Sequence, residues 1–176
     1  PLPVYQKLVE EGGLEEKILT VKEAIRGKYK NTIAAASYRW QLASNPDPNG
    51  ERLVAHCQFL LEHPDVQFMF IDHSCIPQEY PGADGTVIKR SPEEQEYFDT
   101  ILTGGGLNTL YMFVKVSVVM NGSYGERFWP QFEFFLSTRE FDPRHGMRQA
   151  TDRCAVKCIQ DLANKAEEAE DQMMRK

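Results

Sequence analysis

The order of apolar and amphipathic segments predicts an α/β fold in which helices wrap a parallel sheet. Three short apolar runs, at 33–37, 66–71 and 112–120, are typical of strands that are covered on both faces. Segments with helical spacing of apolar residues separate these runs, as connections between parallel strands require. We expect 33–37 to lie between the other two strands. The 176 residues, 41% of them hydrophobic and 26% charged, have the size and composition of one domain.

The first half of the chain contains clear breaks between its predicted elements. Gly12-Gly13 separates two short helical patterns, and the stretch 44–50, rich in proline and asparagine, is a loop. His63-Pro64-Asp65 ends the next helical pattern. The predicted elements are therefore helices at 2–11 and 14–26, a strand at 33–37, a helix at 51–62 and a strand at 66–71.

The second half begins with a long loop, predicted from 73 to about 91. Ser91 and Pro92 then have the residue types that begin a helix, with serine as the N-cap and proline at the first position. Ser123 and Glu126 fit a capping box, but Pro130 needs a position without a required N–H. We therefore expect the regular part of that helix to begin near Arg127. The remaining predicted elements are a helix from 91 to the stop at 104–106, a strand at 112–120, a strand at 154–159 and an acidic helix from 162.

Composition excludes several classes of protein and site. A net charge of −6 argues against a surface that coats nucleic acid or an anionic membrane. No run approaches about 18 apolar residues, and the start of the chain lacks the pattern of a signal peptide. The four cysteines form no CxxC pair, so we expect reduced thiols, no metal site and a cytoplasmic location.

Polar and aromatic residues follow each predicted strand at its carboxyl end, where ligands bind in parallel sheets. Tyr38, Arg39 and Trp40 follow the first strand, and Asp72 follows the second. The stretch 121–124 follows the third. We expect these residues to meet at one cleft.

The aromatic segment 124–139 adds a single carboxylate, Glu133. Helical spacing predicts an apolar stripe with Trp129 on its shoulder and Glu133 at its edge, beside Trp129. A carboxylate at such a margin is partly desolvated, which allows its protonation to be tuned for chemistry. The predicted stripe consists of Phe128, Phe132, Phe135 and Leu136.

Each of these residues also has a purely structural interpretation. Trp129 is of a type that more often belongs to a core than to a binding surface, and Glu133 can simply begin a solvated face. Arg39 can pair with Asp72 or with another acid at the strand ends. Asp72 can cap the turn that follows it, since Asp after a strand commonly orders a loop.

Two of these motifs resemble a known family. The segments 37–40 (SYRW) and 70–78 (FIDHSCIPQ) resemble the fungal heterokaryon-incompatibility (HET) domains, which have SY-x-W followed by W-I-D-x-x-C-I-x-Q. These domains belong to the Toll/interleukin-1 receptor (TIR)-like superfamily, and Trp129-x-x-x-Glu133 is similar to the Trp and catalytic Glu of TIR-type NAD hydrolases. The resemblance covers about 33–139. It leaves an N-terminal helical extension at 1–30 and a strand and helix segment at 140–176, and the 73–91 loop is longer than its TIR counterpart.

The resemblance implies a flavodoxin-like fold and an enzyme that cleaves the nicotinamide N-glycosidic bond of NAD, in defence or cell-death signalling. Glu133 would be the catalytic residue, and NAD would be a substrate with no further cofactor. Tyr38 and Trp129 would offer π faces to the bases, Arg39 would pair with a phosphate, and Trp40 and Asp72 would complete the substrate site. Activity would accompany homo-oligomer formation.

Two other functions remain open. A TIR-like module can act by self-association alone, without catalysis. A cleft closed by Trp40 or by the 73–91 loop would favour that function, whereas Glu133 favours the enzyme. The third possibility is an enzyme that transfers the glycosyl group of free nucleosides on a similar sheet.

Overall fold

A computed structural model describes residues 1–82 and 84–175. The helices are α1 (Tyr5–Glu10), α2 (Val21–Ile25), α3 (Glu51–Glu62), α4 (Asp72–Cys75), α5 (Pro92–Thr103), α6 (Gly106–Phe113), α7 (Phe128–Ser137) and α8 (Ala166–Met174). The strands are β1 (Ile33–Tyr38), β2 (Phe68–Phe70), β3 (Tyr80–Pro81), β4 (Val87–Ile88), β5 (Lys115–Met120), β6 (Arg139–Asp142), β7 (Gly146–Gln149) and β8 (Cys154–Cys158). Single 3-10 turns lie at Tyr124–Glu126 and Gln160–Leu162.

The centre of the fold is a parallel four-stranded sheet in the order β2-β1-β5-β8. Ala35 of β1 pairs with Phe70 on one side and with Val116 on the other, so β1 lies between β2 and β5 as predicted. Helices flank the sheet, and the strand order is that of a flavodoxin-like α/β fold. The predicted strand at 154–159 is confirmed as β8, which pairs with β5.

Alternation along β1 and β5 divides the sheet into two faces. One face, here called the α7 face, carries Ala35 and Val118 and packs against residues of α6, α7 and α8, including Tyr111, Phe134 and Ala169. The other, the α3 face, carries Ala36 and Val119 and packs against Ala55 of α3 and Leu2. Adjacent residues of one strand therefore meet different helices.

The best-predicted helices are those with strong end signals. α3 has the predicted bounds, and α5 begins with Ser91 in a capping box with Glu94. The prediction of a helix at 14–26 is wrong for most of its length, because only Val21–Ile25 is helical. Ile18 is 85% exposed, so a longer helix would bury little apolar surface there. The predicted helix at 2–11 is shortened to Tyr5–Glu10, since Leu2 is instead buried in the core of the α3 face.

The structure differs from the prediction most in a continuous apolar run and in a long predicted loop. The strand predicted at 112–120 begins only at Lys115, because the first residues of the run belong to α6. The predicted loop 73–91 instead contains the end of α4 and the β3–β4 hairpin, although Ala83 lies outside the described residues. A second hairpin, β6–β7, follows α7 and was not predicted.

The start of α7 agrees with the prediction, but its buried face does not. Arg127 precedes the first helical residue, and the capping box at Ser123, which was the alternative start, is absent. Phe128 is 66% exposed and Phe135 43% exposed, so the predicted apolar stripe is wrong at these two residues. It is right at Leu136, which is buried, and at Phe132, which is partly buried against the core. The sheet is contacted through a different ridge of the helix, because residues spaced by four and three share a side. The buried residues of α7 are Pro130, Phe134, Leu136 and Ser137.

Arg153, just before β8, joins the ends of three elements. Its buried guanidinium donates to the carbonyl oxygens of Tyr111 (3.1 Å), Val114 (2.6 Å) and Leu136 (3.2 Å), and also to that of Arg139. These acceptors include carbonyls at the C-terminal ends of α6 and α7, which have no partner within their own helices.

Within the described ranges, none of the helices is long and apolar enough to cross a membrane.

Candidate functional site

The candidate site lies where the connections leave β1 and β5 toward opposite faces of the sheet. β1 leads to α3 on the α3 face, whereas β5 leads to α7 on the other face. In open parallel sheets this divergence leaves a crevice beyond the carboxyl ends of the strands, and ligands bind there. Ser37 and Tyr38 are the last residues of β1 and mark the two sides of this edge.

A buried chain of hydrogen bonds holds Glu133 on the α7 side. The Ser37 hydroxyl donates to Glu133 Oε2 at 2.6 Å. The Tyr124 hydroxyl oxygen lies 2.6 Å from the Ser37 oxygen and 2.9 Å from the Pro130 carbonyl oxygen, so its single proton can be donated to either of them. Ser37 and Tyr124 are fully buried. One network therefore fixes both the first turn of α7 and the carboxyl group that it carries.

The surroundings of Glu133 favour its neutral form. Burial raises the pKa of Glu133 to about 8, and the negative charge of Asp72 adds to the rise. The hydrogen bond from Ser37 and the nearby Tyr111 hydroxyl oppose the shift without cancelling it, although the Tyr111 O–H itself donates to the Ala36 carbonyl at 2.9 Å. At neutral pH most of the molecules therefore carry a protonated Glu133, and a small change of pH alters its charge. Carboxyl groups tuned in this way are typical of acid, base and electrostatic roles in catalysis.

Asp72 organises the other side of the edge. Its Oδ1 accepts from the Tyr38 hydroxyl and from the His73 N–H, both at 2.6 Å. Its Oδ2 accepts from the Trp40 indole at 2.9 Å. Asp72 thus caps the turn after β2, as one interpretation of the sequence proposed, and it also binds two of the aromatic residues predicted to meet it.

This aromatic cluster closes the α3 side of the edge. The Trp40 ring meets the His73 ring edge-on, with centroids 5.3 Å apart. Leu2 packs into the same cluster as Tyr38, and Ser74 Oγ donates to the Pro3 carbonyl at 2.7 Å. Tyr38 is buried, and this burial raises its pKa well above the usual value. In this arrangement the hydroxyl of Tyr38 and the indole N–H of Trp40 are already bound to protein.

Arg39 points toward the segment after β5. Its guanidinium donates to Glu126 Oε2 at 2.7 Å and to the Ser123 carbonyl at 3.2 Å. The acid that pairs with Arg39 is thus Glu126 and not Asp72. The pair is partly open to solvent, since the Glu126 side chain is 65% exposed.

Trp129 and Phe128 are exposed and form an aromatic cluster with Phe132, which is partly buried against the core. The Trp129 ring meets the rings of Phe128 and Phe132 edge-on, with centroids 5.3 and 6.5 Å away. Phe128 and Phe132 stack on each other at 5.6 Å. Trp129 is 56% exposed, so the interpretation of Trp129 as a core residue is wrong. We refer to Phe128, Trp129 and Phe132 as the α7 aromatic cluster.

The described residues do not group into an obvious metal site. Among them, no three His, Cys, Asp or Glu side chains are placed to hold a metal ion. All four cysteines are free thiols. Burial raises the pKa of Cys154 to about 11, so that thiol is a poor nucleophile at neutral pH.

Sequence reasoning missed the partners that hold Glu133. In the sequence, Ser37 stands out only as part of the SYRW motif, and Tyr124 only as the start of a helical segment. A polar residue within an otherwise apolar buried strand was the available signal, because a buried hydroxyl needs a hydrogen-bond partner. The same signal marks Ser117 in β5, whose Oγ lies 2.9 Å from His56 Nδ1 on the α3 face.

Comparison with known proteins gave no relative. No family model, no curated protein and no solved structure matches this chain.

Proposed function

We propose that this chain is a TIR-like NAD hydrolase that cleaves the nicotinamide N-glycosidic bond, with Glu133 as the catalytic residue. The observation that carries the proposal is the position of the Glu133 carboxyl, hydrogen-bonded to the last-but-one residue of β1 at the divergence of the sheet. The SYRW, FID and Trp-x-x-x-Glu motifs support the same function by resemblance.

The chemistry suits a carboxylate in this position. As the glycosidic bond breaks, its electron pair leaves with nicotinamide, which departs as a neutral molecule. Positive charge then develops on the ribose, and an ionised Glu133 next to the sugar stabilises that charge. Water adds to the ribose carbon and releases its proton to solvent, which gives nicotinamide and ADP-ribose. Because the ionised form of Glu133 is required, cleavage should speed up as the pH rises toward 8.

The other predicted residues have supporting roles in this proposal. Arg39 releases Glu126 and binds the pyrophosphate of NAD in its place, since the carboxylate and the pyrophosphate are both anions. Trp129 offers an exposed π face to a base of the dinucleotide. Trp40 and Asp72 form the opposite wall, and the buried Tyr38 supports it through its hydrogen bond to Asp72. Entry of NAD requires the Trp40 indole to move, because its N–H is bound to Asp72.

The direct test measures nicotinamide release from NAD at high protein concentration. Glu133→Gln keeps the size of the side chain but removes the charge, so we expect a loss of roughly a hundredfold or more in rate. Glu140→Gln is the matched control, because Glu140 makes a surface ion pair with Arg148. Equal rates for the parent protein and Glu133→Gln would refute the assignment of Glu133.

A non-catalytic self-association module is the second candidate, and two observations favour it. The aromatic residues Tyr38 and Trp40 are engaged by Asp72, which closes one side of the edge. Phe128 and Trp129 of the α7 aromatic cluster are also more exposed than large apolar residues usually are. Under this alternative the cluster would contact a second copy, in defence or cell-death signalling without NAD cleavage.

Sedimentation measurements separate the two candidates. A module predicts self-association that Trp129→Ala weakens and that persists in Glu133→Gln, without release of nicotinamide. Tyr97→Ala is the control, since Tyr97 is an exposed aromatic residue on α5. An enzyme that needs assembly predicts instead that turnover per protein rises steeply with protein concentration.

A further inference from the structure

The hydrogen-bond chain around Glu133 can serve both protonation states of the carboxyl group. When Glu133 is ionised, Ser37 donates to it and Tyr124 can donate to Ser37. When Glu133 is protonated, its own O–H can donate to Ser37, Ser37 to Tyr124, and Tyr124 to the Pro130 carbonyl. In each state every hydroxyl has a donor role and a partner, because a serine or tyrosine hydroxyl both donates and accepts.

The groups around Glu133 explain why this chain of hydrogen bonds matters for the charge of its carboxyl group. Tyr111 of α6 and Tyr124 of the 3-10 turn lie near enough to interact with its charge, and Tyr38 and Asp72 act on it from across the edge. Among the described residues that influence the pKa of Glu133, Asp72 carries a negative charge and none carries a positive charge. A neutral donor, the Ser37 hydroxyl at 2.6 Å, is thus what stabilises the ionised form against burial.

We propose that Ser37 is a positioning residue for Glu133: its hydroxyl, backed by Tyr124, reverses its hydrogen bond as the carboxyl gains or loses a proton. The carboxyl group thereby stays in one orientation toward the ribose through the change of charge. This inference rests on the proposed function for its catalytic meaning. The hydrogen-bond chain itself does not depend on NAD.

The opposite face of the sheet supplies a matched control. Ser117 is also a buried serine in a central parallel strand, and its hydroxyl contacts His56 instead of a carboxyl group. Ser117 pairs in register with Ala36, the residue next to Ser37, so its side chain faces the other way. Replacing either serine with alanine removes the same atoms from a similar environment. Only Ser37→Ala removes a donor from Glu133.

The test is an infrared titration of Glu133 without NAD. The carboxyl band of protonated Glu133 is identified as the band that Glu133→Gln lacks, and its loss is followed as the pH is raised through 8. Ser37→Ala should move the midpoint upward by about one pH unit or more, because the variant loses a hydrogen bond in both states and the bond to the charged carboxylate is the stronger of the two. Ser117→Ala should leave the midpoint unchanged. Tyr124→Phe, which keeps the Ser37 hydroxyl but removes the group behind it, should cause a smaller upward shift.

The outcomes are decisive in both directions. An unchanged midpoint in Ser37→Ala, or an equal shift in Ser117→Ala, would overturn the proposal. If Ser37→Ala does not fold, Tyr124→Phe decides, and an unchanged midpoint there overturns it. If the midpoint shifts as expected while the parent protein releases no nicotinamide, the positioning role stands and the proposed NAD hydrolase function fails. In an active enzyme, the pH profile of cleavage should move with the infrared midpoint.

Discussion

The two faces of the central sheet carry buried ionisable groups that respond to burial with pKa shifts of opposite sign. On the α7 face, burial raises the pKa of Glu133 to about 8. On the α3 face, burial lowers the pKa of His56 to about 4. In both cases the cause is the same, since desolvation favours whichever form is uncharged. The difference is that His56 stays neutral at physiological pH, whereas Glu133 titrates close to it.

The two groups also differ in their access to a ligand. His56 is completely enclosed, with Ser117 on its Nδ1 and the Tyr38 ring edge-on at 5.5 Å. Glu133 is only partly covered and lies at the carboxyl edge of the sheet. A partly covered group at the edge of the sheet can contact a ligand and take part in its chemistry. A fully enclosed group contributes only to the packing of the core. The comparison therefore separates a candidate catalytic residue from a structural one.

The largest expected effect on stability is at Glu133. Its folded pKa of about 8 lies above the ordinary 4.5, so the folded state keeps a proton that the unfolded state releases. The contribution of protonated Glu133 to the free energy of unfolding is therefore fully present below pH 4.5 and is lost as the pH rises through 8. Glu133→Gln should be more stable than the parent protein at pH 8, by on the order of 2–4 kcal/mol.

Urea denaturation of both proteins at pH 8 and at pH 4.5 measures this difference. The advantage of Glu133→Gln should nearly vanish at the lower pH, and Glu140→Gln should show no such pH dependence. Equal stability of the parent and Glu133→Gln at pH 8 would remove the contrast between the faces.

The α3 face should respond to acid instead. The folded pKa of His56, about 4, lies below the ordinary 6.5. Its contribution is present above pH 6.5 and is lost as the pH falls toward 4, because the unfolded state binds the proton first. Relative to His56→Gln, the parent protein should lose on the order of 2 kcal/mol across this window. His145→Gln is the control, because His145 is exposed. If the unfolding free energy of the parent protein fell with pH as little as that of His56→Gln, the account of His56 would be contradicted.

A smaller effect is expected at the Asp72 hub. Tyr38→Phe removes a hydroxyl that donates to Asp72 at 2.6 Å and leaves the ring in place. The loss should be on the order of 1–3 kcal/mol, as for hydrogen bonds to charged groups. Thermal unfolding measures it. A variant as stable as the parent would show that the α3 side of the edge is held by ring contacts alone.

The smallest effect is expected at the ion pair between Arg39 and Glu126. Glu126 is exposed, and such pairs contribute about 0–1 kcal/mol. Glu126→Gln should therefore leave the melting temperature almost unchanged. If Arg39 binds the pyrophosphate, the same variant should bind NAD more tightly, since the competing carboxylate charge is gone. Calorimetry with the inactive Glu133→Gln background measures that affinity, and weaker binding would argue against the role of Arg39.

The sequence predicted the sheet well because strand runs and helix ends depend on local chemistry. The apolar runs identified β1, β2 and β5 in their correct order, and Ser91-Pro92 marked the start of α5. The buried face of α7 could not be predicted in this way. That helix is aromatic on several sides, and only its neighbours decide that Phe134 is buried while Phe128 is exposed.

The site was predicted in part for a similar reason. The carboxyl ends of β1 and β2 bring Tyr38, Trp40 and Asp72 together, as parallel strands require. Ser37 lies 96 residues from Glu133 and 87 residues from Tyr124 along the chain, so no local pattern connects them. The pairing of Arg39 with Glu126 is likewise a contact across 87 residues.

The measurement that tests the central claim most directly is the pH profile of nicotinamide release. Only the ionised form of Glu133 should act, so the rate should rise about tenfold per pH unit well below 8 and level off above it. Glu133→Gln supplies the background rate at each pH. A parent rate that rises with a midpoint near 8 and exceeds this background would support Glu133 as the catalytic carboxylate. A rate that is flat or falls over this range, or that equals the background, would contradict it.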